Sequence, residues 1–179
     1  MVNLPLKNGK ISSPFKLKTK KIINIGLVGS GKIAYEHARV IKYYGHNIST
    51  LVTKHKSTRT NFFIKKFKVN KHYLSMNKYI DYDSVDAWIV CTPWDVNSKI
   101  LLKLLPLGKP ILIEKPIIIN NQDLKKLFLK YGNKNFSKCY IAYNRNFYEY
   151  LPNIISLLKK KKDFVIQATL PDQYDSIIK

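Results

Sequence analysis

At 179 residues, 45% of them hydrophobic, the chain is long and apolar enough for one cored domain, and too apolar for a disordered one. Its 32 Lys and Arg against 11 Asp and Glu give a formal charge of +21, which favours anionic ligands. The lysines are spread along the whole chain with no nucleic-acid-binding motif, so nucleic acid is not an expected partner, and no apolar run is long enough for a membrane span.

Residues 1–20 are basic and polar, with Pro5, Pro14 and Ser12-Ser13, and lack the apolar block of a signal peptide. They read as a loose N-terminal arm. The next stretch, 21–36, organises the rest. Ile22, Ile23, Ile25, Leu27 and Val28 form the short apolar run of a buried parallel strand. Gly29-Ser30-Gly31 then turns the chain, and Lys32-Ile33-Ala34 opens a helical pattern. The spacing is G-x-G-x-x-A at a strand-to-helix junction, where dinucleotide-binding folds bring backbone N–H groups and a helix N-terminus up to a pyrophosphate. In that reading Gly29 permits the tight turn, Gly31 lets a phosphate approach, and Ala34 lets helix and strand pack closely.

The chain continues with a helix over 33–44 ended by Gly45, a strand over Asn47 to Val52, a helix over 58–67 and a short strand near His72–Leu74. Asp86 to Cys91 is a buried strand, 95–105 a helix before Pro106, and Pro110 to Glu114 a strand. Asn120 and Asp123 start a helix over 121–131, with Gly132 past its end. Lys138 to Tyr143 (strand), Phe147 to Lys160 (helix) and Asp163 to Leu170 (strand) complete the pattern. The alternation implies an α/β doubly wound parallel sheet over 21–145, with 146–179 as the start of a second, α+β domain. Ligands of such sheets sit outside the carboxyl ends of the strands. That edge collects Gly29–Gly31, Thr53–Lys54, Thr92–Pro93, Glu114–Lys115 and Asn144–Arg145. Cys91 and Cys139 fall in strands and read as reduced thiols of a cytoplasmic protein. No Cys/His spacing suits zinc, so no metal is expected.

NAD-specific sites place an Asp or Glu about 20 residues beyond the glycine turn, on the ribose hydroxyls. Here no acid occurs between Glu36 and Asp81, and the strand runs into Thr53-Lys54-His55-Lys56, with Arg59 close behind. A ribose phosphate would meet cations and a hydroxyl, so NADP is expected over NAD.

Gly26-Leu27-Val28-Gly29-Ser30-Gly31-Lys32-Ile33-Ala34 with His37, then Thr92-Pro93, Glu114-Lys115-Pro116 and Ala142-Tyr143-Asn144-Arg145-Asn146-Phe147-Tyr148, resembles the Gfo/Idh/MocA family of NAD(P)-dependent oxidoreductases, many of which act on sugars. The resemblance implies a Rossmann domain and a cofactor held by Gly29, Ser30, Gly31, Lys32, Ile33, Thr53, Lys54, Thr92, Pro93, Asn97, Glu114 and Lys115. It makes Lys115 the catalytic residue beside nicotinamide and substrate; the charge of Arg145 suits an anionic group on the substrate, such as a carboxylate or a phosphate. A lysine emerging from the apolar strand Pro-Ile-Leu-Ile, if partly desolvated, would lose basicity and handle a hydroxyl proton. Asn97 stands where family members often carry a histidine. Members usually continue through a second, open-sheet domain that covers the substrate and supplies a further histidine, whereas the last histidine here is His72. The expected partners are therefore a sugar or nucleotide sugar, and a second copy or another chain completing the sheet. The competing expectation is a non-catalytic or truncated dinucleotide-binding protein.

Overall fold

The structure, a computed structural model, describes residues 6–7, 10–11, 21–118, 120–143, 151–159, 163 and 165. The chain divides into two units at Tyr143 and Asn144. In the first, β1 (Leu6–Lys7) pairs antiparallel with β2 (Lys10–Ile11), Leu6 opposite Ile11 and Lys7 opposite Lys10. The arm expected to be loose is thus paired at these positions. The residues between them in sequence are Asn8-Gly9, the dipeptide that most favours a tight hairpin.

The main sheet has β3 (Asn24–Val28), β4 (Asn47–Val52), β5 (Lys71–Tyr73), β6 (Ala87–Val90), β7 (Ile111–Ile113) and β8 (Cys139–Ile141). All pairings are parallel, in the order β5-β4-β3-β6-β7-β8. Between them run α1 (Lys32–Tyr43), α2 (Thr58–Phe67), α3 (Trp94–Leu104) and α4 (Asn121–Phe136). This is the Rossmann strand order, and the direction of winding reverses between β3 and β6. The alternating pattern of the sequence therefore gives the architecture it implies. Among the described residues of the second unit, α5 (Leu151–Lys159) is the one regular element. Arg145 and the Asn144–Tyr148 segment lie outside the described residues, as does the strand expected over 163–170 apart from Asp163 and Val165.

Two apolar layers cover the sheet. On one face Ile25, Leu27, Ile48 and Leu51 pack with Ala34, Ala38 and Ile41 of α1 and Phe63 and Phe67 of α2. On the other, Val28, Val52, Trp88, Val90, Ile111 and Ile113 pack with Ile100, Leu101 and Leu104 of α3 and Leu127 of α4. Burying each such side chain contributes about 1.5–3 kcal/mol. The register explains why Ile48 and Leu51, three apart, share a face. Ile25 pairs with Ile48 but Gly26 pairs with Thr50, so Ser49 is an extra residue that shifts the alternation by one.

The helix ends follow local chemistry. Gly45, at φ 75°, takes the left-handed position just past α1. Ser57 caps α2, its Oγ accepting from Thr60 N at 3.1 Å. Asn120 Oδ1 accepts from Gln122 N at 2.9 Å at the start of α4. The expected end of that helix at residue 131 needs correction: helical structure resumes beyond Gly132 and runs to Phe136. Gly132, at φ 65° and ψ −179°, breaks the path without ending the element.

Gly26 sits opposite Trp88 on the neighbouring strand. A Cβ on Gly26 would lie 2.5 Å from the fully buried indole ring. We expect Gly26→Val to destabilise the fold by about 1–3 kcal/mol through overpacking, read as a lower urea midpoint in tryptophan fluorescence. An unchanged midpoint would show that the indole has room to move.

Candidate functional site

The ends of β3, β4 and β6 meet at Gly29. Its N–H donates to Val52 O at 2.8 Å, and Cys91 N–H donates to Val28 O at 2.8 Å. Gly29 adopts φ +102°, and a Cβ there would stand 2.6 Å from Cys91 O, so only glycine fits. At Gly31 a Cβ would meet no protein atom within 4 Å. The space belongs to a cavity of about 920 Å³ whose wall includes Gly29, Ser30 and Gly31, Thr53 and Lys54, and Thr92 and Pro93. Helix α1 begins here with no side-chain cap and no acid in its first turn. Its first N–H groups are therefore left for an anion. Seven residues expected at the site thus line one cavity. Lys32 and Ile33 contribute backbone to this turn, but their side chains are exposed and off the cavity wall.

Beyond β4, the loop 53–57 and the first turn of α2 form the next wall, with Lys54, His55, Ser57, Thr58, Arg59 and Thr60. The only acid among the described lining residues is Asp95. Ser57 and Thr60 are additions to the expected set. A Ser-x-x-Thr start to a helix, at the same edge as the glycine turn, is the signal that marks them. Thr60 Oγ1 lies 3.2 Å from Ser30 Oγ and 3.0 Å from Ser57 Oγ, joining the glycine turn to α2. Leu74, Ser75 and Met76, just after β5, complete this side; Lys103 Nζ of α3 donates to Met76 O and holds that loop.

The expected Thr53 hydroxyl donor needs correction. Thr53 Oγ1 donates to His55 O at 2.9 Å and contacts His72 Nε2 at 2.8 Å. Its single proton is therefore committed, which leaves Lys54, Arg59 and the hydroxyls at the start of α2 on this wall. Burial, then the charge of Lys56, lowers the His72 pKa below the ordinary imidazole value.

Past β6, Thr92 Oγ1 donates to Asn97 Oδ1 at 2.8 Å, and Asn97 Nδ2 donates to Pro116 O at 3.2 Å. Asn97 is 1% exposed. It was expected against the cofactor; instead both ends of its amide are used inside the protein, bracing the β6 and β7 strand ends together. Glu114 Oε1 lies 2.8 Å from His37 Nε2 of α1. Lys115 follows at the same carboxyl edge, joined to Pro116 by a cis bond. Glu114 and Lys115 lie off the cavity wall, one strand beyond it. The partial burial expected of Lys115 is not found. It is exposed, with no ion pair or hydrogen bond among the described residues, and the carboxylate of the adjacent Glu114 is held by His37. Cys91 lines the cavity, but burial and then Glu114 push its thiol well above the ordinary range. Burial raises Cys139 to about 11. Neither is a thiolate near neutrality, so thiol nucleophilic chemistry finds no support here.

A glycine cradle, an uncapped helix and cations at a topological switch point fit a nucleotide diphosphate, on the α/β fold that dinucleotide-binding proteins use. Residues 23–136 match the profile of the Gfo/Idh/MocA family, described as an oxidoreductase family with an NAD-binding Rossmann fold. The chain belongs to that family. It is 25% identical over 125 residues to a myo-inositol 2-dehydrogenase of Thermotoga maritima, covering 70% of this chain and 37% of that protein. Its fold is similar to that of myo-inositol dehydrogenase from Lactobacillus casei, solved with NAD(H) and myo-inositol (TM-score 0.68, 16% identity, 78% of this chain and 42% of that one). It also resembles the WlbA (WbpB) dehydrogenase of Thermus thermophilus, solved with NAD and UDP-GlcNAcA (TM-score 0.61, 18% identity, 79% and 48% of the two chains). The chain thus spans less than half the length of these proteins.

Replacing Asn97 by Leu removes the brace and leaves the Thr92 hydroxyl and the Pro116 carbonyl without their partner. We expect a loss of about 1–3 kcal/mol in denaturant unfolding. Stability equal to the parent would show that the two strand ends hold each other without it.

Proposed function

We propose that this chain binds NAD(P), with NADP favoured, for an oxidoreductase acting on a polyol, sugar or nucleotide sugar. The observation that carries the reading is the uncapped N-terminus of α1 behind a glycine turn whose second glycine faces open cavity. The relatives' inositol and UDP-sugar ligands support the substrate class, and the family description supports the cofactor. The bound cofactor supplies hydride transfer at its nicotinamide. The chain's own residues do the rest. The turn Gly29–Gly31 and the first N–H groups of α1, from Lys32 and Ile33, hold the pyrophosphate. Lys54 and Arg59 face a 2′-phosphate. Thr92, Pro93 and the Glu114 backbone, braced by Asn97, line the nicotinamide half. Lys115 Nζ hydrogen-bonds the substrate hydroxyl and takes up or returns its proton. Arg145 is assigned to an anionic group of the substrate.

A second reading, a dinucleotide-binding protein without turnover, is favoured by the exposure of Lys115. Catalysis needs substrate held in register and water excluded, and among the described residues nothing covers this lysine. We assign that cover to further sheet, from more chain, a second copy or a partner subunit. No described helix is long and apolar enough to cross a membrane. The cytoplasmic setting belongs to this proposal and rests on the two free cysteines.

Calorimetric titration tests the cofactor. NADPH should bind about ten- to a hundredfold more tightly than NADH, the worth of one charge-assisted contact. Gly31→Val should abolish both affinities with the fold intact, since a Cβ there meets no protein atom within 4 Å. Normal affinity in that variant would overturn the reading. Lys115→Ala should leave cofactor affinity unchanged and lower any turnover of inositol or nucleotide sugars by about 10²- to 10⁴-fold. Turnover unchanged in that variant would remove the role given to the lysine.

A further inference from the structure

We infer that His72 positions the loop 53–57 and thereby sets the preference between 2′-phosphorylated and unphosphorylated cofactor, an inference that rests on the dinucleotide reading above. The loop leaves β4 at Thr53, and this residue is gripped from three directions. Its N–H donates to Tyr73 O at 3.0 Å. Its hydroxyl oxygen lies 2.9 Å from His55 O and 2.8 Å from His72 Nε2. A carbonyl only accepts, so the hydroxyl proton goes to His55 O. His72 must then be the donor, through Nε2–H, which fixes the tautomer of a neutral ring. A protonated ring also carries hydrogen on Nε2, so the bond survives either charge state.

This hydrogen-bonded pair, His72 to Thr53 and Thr53 to His55 O, folds the chain back on itself directly after β4. The bend places Lys54 and His55 on the cavity wall, and the chain then enters α2, whose start adds Ser57, Thr58 and Arg59. Lys54 and Arg59 are long, exposed side chains, and a phosphate gains most from them when the backbone beneath is already set. The adenosine of an unphosphorylated cofactor makes no use of these cations. Its affinity rests on the glycine turn, α1 and the nicotinamide half at Thr92, Pro93 and Glu114, whereas the His72 hydrogen bond is to Thr53. Removing the His72 donor should therefore act on one cofactor and not the other, a signature that general loss of structure does not give.

The test is calorimetry of NADPH and NADH on the whole chain, the His72→Phe variant and the His72→Gln variant, with circular dichroism on each. Phenylalanine fills the site without a donor, and glutamine restores an N–H. We expect His72→Phe to weaken NADPH about three- to tenfold, to leave NADH within about twofold, and His72→Gln to recover most of the difference. Equal losses for both cofactors, or no loss for NADPH, would overturn the inference while leaving the dinucleotide site standing. Failure of the unaltered chain to bind either cofactor would overturn the dinucleotide reading, and this inference with it.

Discussion

The site depends on one close approach, between Gly29 and the strand ends on either side of it. The Gly29 N–H is bonded to Val52 O on β4, while the Cys91 carbonyl at the end of β6 occupies the place of a Cβ, 2.6 Å away. A larger residue would force the β3 and β6 ends apart and tilt α1 away from the crevice. The cavity wall, the open cradle at Gly31 and the direction of α1 all follow from that contact. The same economy of volume recurs within the sheet, where Gly26 leaves room for the Trp88 indole. Two glycines of β3 and its turn thus set how closely β6 can lie.

Much of this was legible in the residues because it depends on short-range pattern. A parallel strand buried on both faces shows itself as an apolar run, and the glycine triplet directly after one has few structural uses. The strand Asn47–Val52 and the helix Thr58–Phe67 could be read to the residue. Pairings between distant residues could not. Asn97 carries a polar amide four residues past Pro93, and nothing local says that it turns inward to Thr92 and Pro116. His37 and Glu114 lie 77 positions apart. The hydroxyl of Thr53 reads as a free donor until His55 and His72 are seen around it. The extra residue at Ser49 is equally silent, since it changes which face a side chain takes and leaves the composition of β4 as it was.

Two of the polar contacts that cross between elements flank Lys115. Its preceding residue is held by α1 through His37, and its following residue by α3 through Asn97. The lysine between them has a fixed base and an unencumbered ammonium. Because His37 holds the Glu114 carboxylate, the nearest acid in sequence makes no ion pair with the lysine. The arrangement suits a group meant to meet something from outside the described chain, and it agrees with the scarcity of acids around the cavity, where Asp95 is the only one among the described lining residues.

The position of β5 has a consequence for how such a protein can change over generations. It is an edge strand of three residues, none of them buried, and it stands apart from the crevice where β3 and β6 part. Tyr73 packs against one apolar layer, but substitutions at Lys71 and His72 open no void in either. The glycine turn has no such latitude, because any side chain at Gly29 collides with backbone. On the role proposed for His72, selection can act on coenzyme choice at the margin of the sheet while the glycine turn at its centre stays under strict constraint.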